Sequence, residues 1–224
     1  MAIPYQLIRS RRRSLELRVY PDHRIEVRAP MRCPQREIDA FINEREAWLQ
    51  KRLLQFSGAP PAQPVQDGAR VYLLGEALTL VVRPGRKPVQ RDGDQLIVHC
   101  LAPDDPESLK RALQRGLRAI AEPYFIERLQ HWFEPFRQRG HQRIPALQLR
   151  TMRSRWGSLS LKTGMTLNLS LIHSPPECID YVIVHELCHL EQMNHGPRFK
   201  ALMTQMLPDW SLRRRHLIDT AWSG

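Results

Sequence analysis

The alternation of apolar and polar positions divides the chain into a β-rich beginning and a helix-rich remainder. From Ser14 to Tyr20, Leu15, Leu17 and Val19 fall on one face, with Glu16 and Arg18 on the other. Arg24 to Arg28 alternates again through Ile25 and Val27. With Pro21-Asp22-His23 between them, the two runs predict a hairpin, closed off by Pro30 and Pro34. From Gln35 the period lengthens. Ile38, Phe41, Ile42, Trp48, Leu49, Leu53 and Phe56 share one helical stripe, which predicts a helix turned toward a core. Ser57 to Pro64 has the composition of a surface loop. Beyond it, Val71 to Leu74, Leu78 to Val82 and Leu96 to Cys100 are short apolar runs. Gly75-Glu76, Pro84-Gly85 and Asp92-Gly93-Asp94 separate them, which predicts a β-meander.

The second half is helical with one interruption. Asp105 can cap a helix that has Pro106 at its first position. Leu109, Ala112, Leu113, Leu117, Ile120, Tyr124 and Leu129 keep the period to about Trp132, and Pro123 predicts a kink or a break into two helices. Leu147 to Met152 and Met165 to Leu171 are expected strands, joined through Leu159-Ser160-Leu161 and a Lys162-Thr163-Gly164 turn. A mostly buried helix then follows Pro175-Pro176-Glu177 and is expected to end at Asn194-Gly196-Pro197. Phe199 to Met206 is another helix, followed by a basic tail containing Trp210 and Trp222. The fold class is therefore α+β. The expected division is an N-terminal β-rich region with one helix at 1–102 and a second, helix-rich domain at 103–224, the two making one compact unit.

Composition narrows the class. At 224 residues, 42% hydrophobic and 25% charged, the chain has room for one good core or two small units. Arg9 to Arg13 is followed by no apolar run, so no secretory signal is expected, and no stretch approaches the ~20 apolar residues that span a bilayer. A cytoplasmic location is the expectation. Cys33, Cys100, Cys178 and Cys188 lie far apart with no C-x-x-C spacing, the pattern of buried thiols in a reducing compartment. The net charge of +11 allows weak association with nucleic acid or nucleotides. Only Arg11 to Arg13 and Arg213 to Arg215 form clusters, so generally arginine-rich usage accounts for it equally well.

The chemistry concentrates in the buried helix. His185-Glu186-Leu187-Cys188-His189 is an HExxH run. Positions four apart on a helix sit one above the other, so both imidazoles can reach one ion while Glu186 lies beside them. Two histidines holding zinc, with the glutamate activating a water, is the reading that this spacing supports. Such a site takes a third protein ligand. Glu191 is the last glutamate in the chain and lies on the same helix, so a glutamate from a later helix is excluded. His195, His216, Asp209 and Asp219 remain. His195 has the spacing of the third histidine in H-E-x-x-H-x-x-G-x-x-H sites, although Gln192 stands where that pattern has its glycine. Asn194 tolerates a left-handed turn and could supply the reversal instead. The oxyanion partner stays open among Arg155, Asn168, His173 and Tyr181.

Around this run the resemblance becomes specific. Arg155-Trp156-Gly157-Ser158, Leu167-Asn168-Leu169, Pro176, Ile179 to Leu190 and Asn194-His195 resemble the YgjP-like family of metallopeptidases, relatives of the SprT-like and WLM zinc peptidases. Ile8 to Arg12, Ala29-Pro30 and Trp48 also fit, so the resemblance covers nearly the whole chain. It implies a compact zincin-like domain with zinc (Zn2+) on His185, His189 and His195 and with Glu186 as base. It also implies that the Trp156-Gly157-Ser158 hairpin flanks the cleft. Family members commonly carry cysteine after the Gly-Ser, where this chain has Leu159, so no role for that thiol is expected.

The expected function is zinc-dependent hydrolysis of peptide bonds in a peptide or protein substrate. Trp156, Gly157, Ser158 and Asn168 are the candidate substrate-binding residues, because a strand edge beside the active helix can pair with an extended peptide. A metal-dependent phosphohydrolase acting on nucleotides is one alternative. A nucleic-acid-associated protein with a structural metal site is another.

Overall fold

The computed structural model describes residues 4–19, 24–50, 65–152 and 155–220. The Pro21 to His23 turn, the Ser57 to Pro64 loop, Leu53, Phe56 and Trp222 lie outside them. The architecture is α+β, as the periodicities predicted. Contacts divide it into two compact units, residues 1–63 and 64–222. The strands between Arg70 and Cys100 belong to the second unit because they bury their apolar faces in its core.

In the first unit β1 (Gln6–Ser10), β2 (Glu16–Val19) and β3 (Ile25–Pro30) form a sheet in the order β1-β3-β2. The predicted hairpin is present, with β2 antiparallel to β3, and β1 adds to the other edge in parallel, Leu7 opposite Val27. α1 (Gln35–Asn43) ends in a turn at Glu44-Arg45, and residues 46–50 resume the helix. Its apolar stripe is narrower than predicted. Ile38, Ile42 and Leu49 pack with Ile25, Val27 and Ala29, whereas Trp48, 100° around from Leu49, is exposed. A three-stranded sheet is wide enough to cover only that narrow stripe.

In the second unit β4 (Arg70–Leu73), β5 (Glu76–Pro84), β6 (Gln90–Asp92) and β7 (Gln95–Cys100) are ordered β4-β5-β7-β6. A simple meander was expected. Instead β5 and β7 run parallel, Leu80 opposite Leu96, and the short β6 flanks β7 on the outside. The inserted 85–94 segment carries the chain back to the start of β5 and so allows the parallel pairing. The β4–β5 turn is Leu74-Gly75 with both φ positive, at 52° and 83°, the geometry of a two-residue hairpin.

α2 (Pro106–Gln138) begins as predicted, with the Asp105 side chain accepting from the Glu107 and Ser108 amides. It then runs unbroken through both Pro123 and Pro135, so the predicted break does not occur. Each proline removes one ladder bond. The buried row Ala121, Phe125, Leu129, Phe133 and Phe136 on both sides of Pro123 holds the helix to the core and outweighs that loss. β8 (Leu147–Arg150), β9 (Gly157–Ser160) and β10 (Gly164–Asn168) make a small sheet ordered β8-β10-β9, and residues Leu169–His173 close it as a 3-10 turn where a strand continuation was expected.

α3 (Pro176–Cys188) is central. Cys178 through Val184, then Glu186, Leu187 and Cys188, are all buried. A helix apolar on every side must be surrounded, and α2, α4 (Pro197–Met206), α5 (Trp210–Thr220), β9 and the 3-10 turn pack on it. Its start is fixed by the β4–β5 hairpin. Leu74 N–H donates to the Ile172 carbonyl (2.7 Å), and a Cβ on Gly75 would lie 2.9 Å from Pro175 Cγ. No helix of the described residues is long and apolar enough to cross a membrane.

Candidate metal centre

α3 supplies two imidazoles and one carboxylate within five residues. The helix ends sooner than predicted, at Cys188 with His189 as its cap, and not at Asn194-Gly196. The Glu191 and Gln192 amides both donate to the Cys188 carbonyl, at 3.2 and 2.9 Å, and the chain turns back. No residue from 189 to 196 has positive φ, so the expected left-handed Asn194 is not how the reversal is made. Side chains hold it instead. His189 Nδ1–H donates to the Gln192 carbonyl (3.0 Å), and Arg139 clasps Glu191 through two bonds of 2.7 and 2.8 Å. That pair keeps the Glu191 carboxyl below its usual range and engages it with α2.

This turn delivers His195 to the other two histidines. One ligand atom from each of His185, His189 and His195 lies within 4.8 Å of the others, and the His185 and His195 Nε2 atoms are 3.0 Å apart. Imidazole nitrogens about 2.0–2.1 Å from one tetrahedral zinc would sit roughly 3.3 Å apart, so the cluster needs little adjustment to share an ion. The donor states also fit. A carbonyl only accepts, so the Gln192 contact puts the His189 proton on Nδ1 and leaves Nε2 as the lone-pair donor. Burial pushes the His185 pKa down to about 4, with His189, His195 and Arg214 adding to it, so the ring is neutral at pH 7.

Phe199 forms a wall to the cluster. Its ring centroid lies 5.0, 4.9 and 4.7 Å from those of His185, His189 and His195, and it is buried. Sequence reasoning assigned Phe199 only to a helix. Its position four residues after His195 is the one signal pointing to it, and that signal acquires meaning only once the 189–196 turn is known.

Glu186 is 6% exposed and lies against β9. The Leu159 amide donates to its carboxylate and Arg155 is close enough to favour its charge, yet burial prevails and pushes its pKa up to about 7. A Cβ on Gly157 would lie 2.9 Å from both Glu186 Cγ and Oε1, so only glycine leaves the carboxylate its place. The ladder phase follows from the Asn168 N–H to Trp156 carbonyl bond of 2.8 Å. Trp156, Ser158 and Ser160 therefore face β10, while Gly157 and Leu159 turn their amides and carbonyls to the outer edge of the sheet.

The other candidates lie apart from the cluster or are already engaged. Trp156 is half-buried against the core. Asn168 is buried, with its amide nitrogen donating to the Met152 and Arg155 carbonyls (2.7 and 3.1 Å) and its oxygen accepting from the Met152 and Ser170 amides. All its hydrogen-bonding capacity goes into holding Met152 and Arg155 and capping the 3-10 turn. His173 Nδ1–H donates to the Tyr72 carbonyl at 2.6 Å. His216 pairs with Glu177 (3.4 Å) and Asp209 with Arg213 (2.9 Å), each away from the three histidines. All four cysteines are free, and burial pushes the thiols of Cys178 and Cys188 up to about 12.

Three imidazoles facing one point, with a buried carboxylate on the same helix, are the equipment of a metallopeptidase. The family model for the YgjP-like, metallopeptidase domain matches residues 13–220, and the chain belongs to that family. Two solved structures are similar over part of the chain. One is the metallopeptidase zymogen of Pyrococcus abyssi abylysin, 23% identical, covering 42% of this chain and 92% of that one with a TM-score of 0.37. The other is the metallopeptidase zymogen of Methanocaldococcus jannaschii jannalysin, 18% identical, covering 42% and 96% with a TM-score of 0.34. No curated protein matches the chain.

Proposed function

We propose that the protein is a zinc-dependent peptidase of zincin-like fold, with His185, His189 and His195 as the metal ligands and Glu186 as general base. The observation that carries this reading is the convergence of the three imidazoles beside a buried carboxylate on the same helix as two of them. When bound, zinc supplies a Lewis acid that polarises a scissile carbonyl and makes water more acidic.

The remaining work falls to the chain's own side chains. Glu186 takes a proton from the attacking water and passes it to the leaving amine. The Leu159 amide fixes the carboxylate's direction, and the absent side chain at Gly157 leaves it room. An extended peptide would lie along the outer edge of β9 and pair with the Gly157 amide and carbonyl, which favours unstructured segments of protein as substrates. Phe199 keeps the inner side of the cluster apolar and dry.

The test is incubation of zinc-loaded protein with a casein-like unfolded chain and, separately, with nucleoside triphosphates. Peptide products from the wild type and none from Glu186→Gln, with metal content unchanged, support the reading. Triphosphate hydrolysis without peptide cleavage, or cleavage that persists in Glu186→Gln, overturns it.

A further inference from the structure

We infer that a cavity between α2 and the ends of β8 and β10 binds an acidic segment of the polypeptide substrate, with Arg111, Arg115 and Arg118 recognising its carboxylates. The choice of a polypeptide as occupant rests on the peptidase reading above. The cavity is open, measures about 290 Å³ and is lined by Arg111, Gln114, Arg115, Arg118, Thr151 and Leu169. At about 30 Å³ for each water it displaces, that is room for one or two acidic side chains.

α2 supplies the charge. Positions 111, 114, 115 and 118 are three and four apart, so they share one helix face, and the outer arginines stand about 10 Å apart along the axis. Like charges at such spacings repel, and the helix has no acid between Ser108 and Ala121 to relieve them. Arg111 comes no nearer than 3.8 Å to Asp105, and among the described residues no carboxylate pairs with Arg115 or Arg118. Arg118 donates one N–H to the Leu149 carbonyl (3.1 Å), which fixes its guanidinium against β8 and leaves further donors for a ligand. A guanidinium fork matches a carboxylate through two parallel bonds. Thr151 and Leu169 stand one position past the Arg150–Asn168 pair of the parallel strands, side by side at one end of the sheet. The Thr151 hydroxyl and the Gln114 amide add neutral donors, and buried Leu169 offers an apolar surface to the methylenes of an acidic side chain.

Sheet geometry relates this cavity to the edge beside the base. Gly157 is opposite Leu167, two residues before Leu169, and β9 lies two strands from β8. Strand spacings of about 4.8 Å and a rise of about 3.3 Å per residue put Thr151 roughly 12 Å from Gly157. An extended peptide paired with Gly157 covers that distance in about four residues. A concave site of this size engages one or two anionic groups, whereas a nucleic-acid strand is held by a run of phosphate contacts.

The experiment uses two fluorescein-labelled unfolded peptides with one cleavable bond, identical except that a Glu-Glu pair four residues to either side of it is Gln-Gln in the control. Binding is read by anisotropy on the zinc-loaded full chain carrying Glu186→Gln, and cleavage on the zinc-loaded wild type. The acidic peptide should bind about 10-fold more tightly and show a similarly higher kcat/KM. Arg111→Gln with Arg115→Gln should abolish both preferences. Glutamine suits a helix, so the thermal midpoint should match the wild type. Arg32→Gln with Arg36→Gln removes the same charge from exposed positions of the first unit and should keep both preferences. Equal affinity for the two peptides, or a preference lost equally in both double variants, would overturn the inference. Displacement of the acidic peptide by a tighter-binding single-stranded DNA that depends on Arg111 and Arg115 would also overturn it. Arginine-dependent binding of the acidic peptide to a wild type that cuts neither peptide would remove the peptidase reading alone. Cleavage of both peptides with equal kcat/KM and equal affinity would remove this inference alone.

Discussion

Gly157 and Glu186 compete for one small volume: a Cβ built on the glycine would stand 2.9 Å from two atoms of the glutamate side chain. The contact joins an edge strand to the buried helix and sets where the carboxylate points. Gly157→Ala should therefore displace Glu186 while leaving the three histidines untouched. A shift of about 1 Å in a catalytic group can cost 100-fold, so kcat should fall by about that factor with zinc content unchanged. Stoichiometric zinc with undiminished turnover would remove the contact's catalytic importance.

His195 reaches the other histidines only through the 189–196 turn, whereas His216 is engaged with Glu177. Removing a ligand should weaken zinc by more than the roughly 10–100-fold that follows loss of an outer partner. His195→Ala should lose its metal on dialysis against a mild chelator, and His216→Ala should keep it. The reverse result would move the third ligand.

The Arg139–Glu191 pair holds the same turn from outside the cluster. Glu191→Gln keeps the side chain's size and removes its charge. Zinc affinity should drop about 10-fold, measured by competition with a fluorescent chelator, because the turn that presents His195 is loosened. Unchanged affinity would show that the turn stands without the pair.

Asp180 is buried on α3 and accepts two bonds from Arg128, at 2.7 and 2.8 Å. Asp180→Ala leaves that guanidinium partly buried and unpaired, which should cost about 2–3 kcal/mol in urea unfolding. The double variant Asp180→Leu with Arg128→Met should lose less than the single one, because no unpaired charge remains. A single variant within about 0.5 kcal/mol of wild type would make the pair dispensable.

His173 bears on stability against pH. Burial holds its pKa below the ordinary 6.5, so the unfolded chain binds the proton more readily than the folded one. The contribution of its neutral ring is full above about 6.5 and is lost as pH falls from there toward the folded-state pKa. His173→Asn keeps a donor for the Tyr72 carbonyl and removes the titration. The stability advantage of wild type over this variant should shrink between pH 7 and pH 5 in denaturant titrations. A difference that does not vary with pH would assign His173 no such part.

Much of the secondary structure was legible because its cause is local. Asp105-Pro106 marks the start of α2, and the alternation of Leu15, Leu17 and Val19 marks β2. Where expectation and structure part, packing has overruled a local rule. Pro123 fails to break α2 because Leu117 and Ala121 before it and Phe125 and Leu129 after it are buried in one core. Trp48 leaves the predicted stripe because a three-stranded sheet cannot cover it. The run from Leu78 to Cys100 could not reveal a parallel pair, since hydrophobic alternation does not encode strand direction.

The amino-acid order alone determined the His185-Glu186-His189 constellation, because a helix of 3.6 residues per turn brings those positions together wherever it sits. It also narrowed the third ligand to a few residues by excluding any later glutamate. Tertiary structure decided the rest. It turned Asn168 into a clamp on Met152 and Arg155, set Gly157 against the base and placed Phe199 behind the histidines. These pairs are separated by up to 29 residues and lie on different elements, and no local periodicity relates such positions. Only the burial of the surfaces between them does.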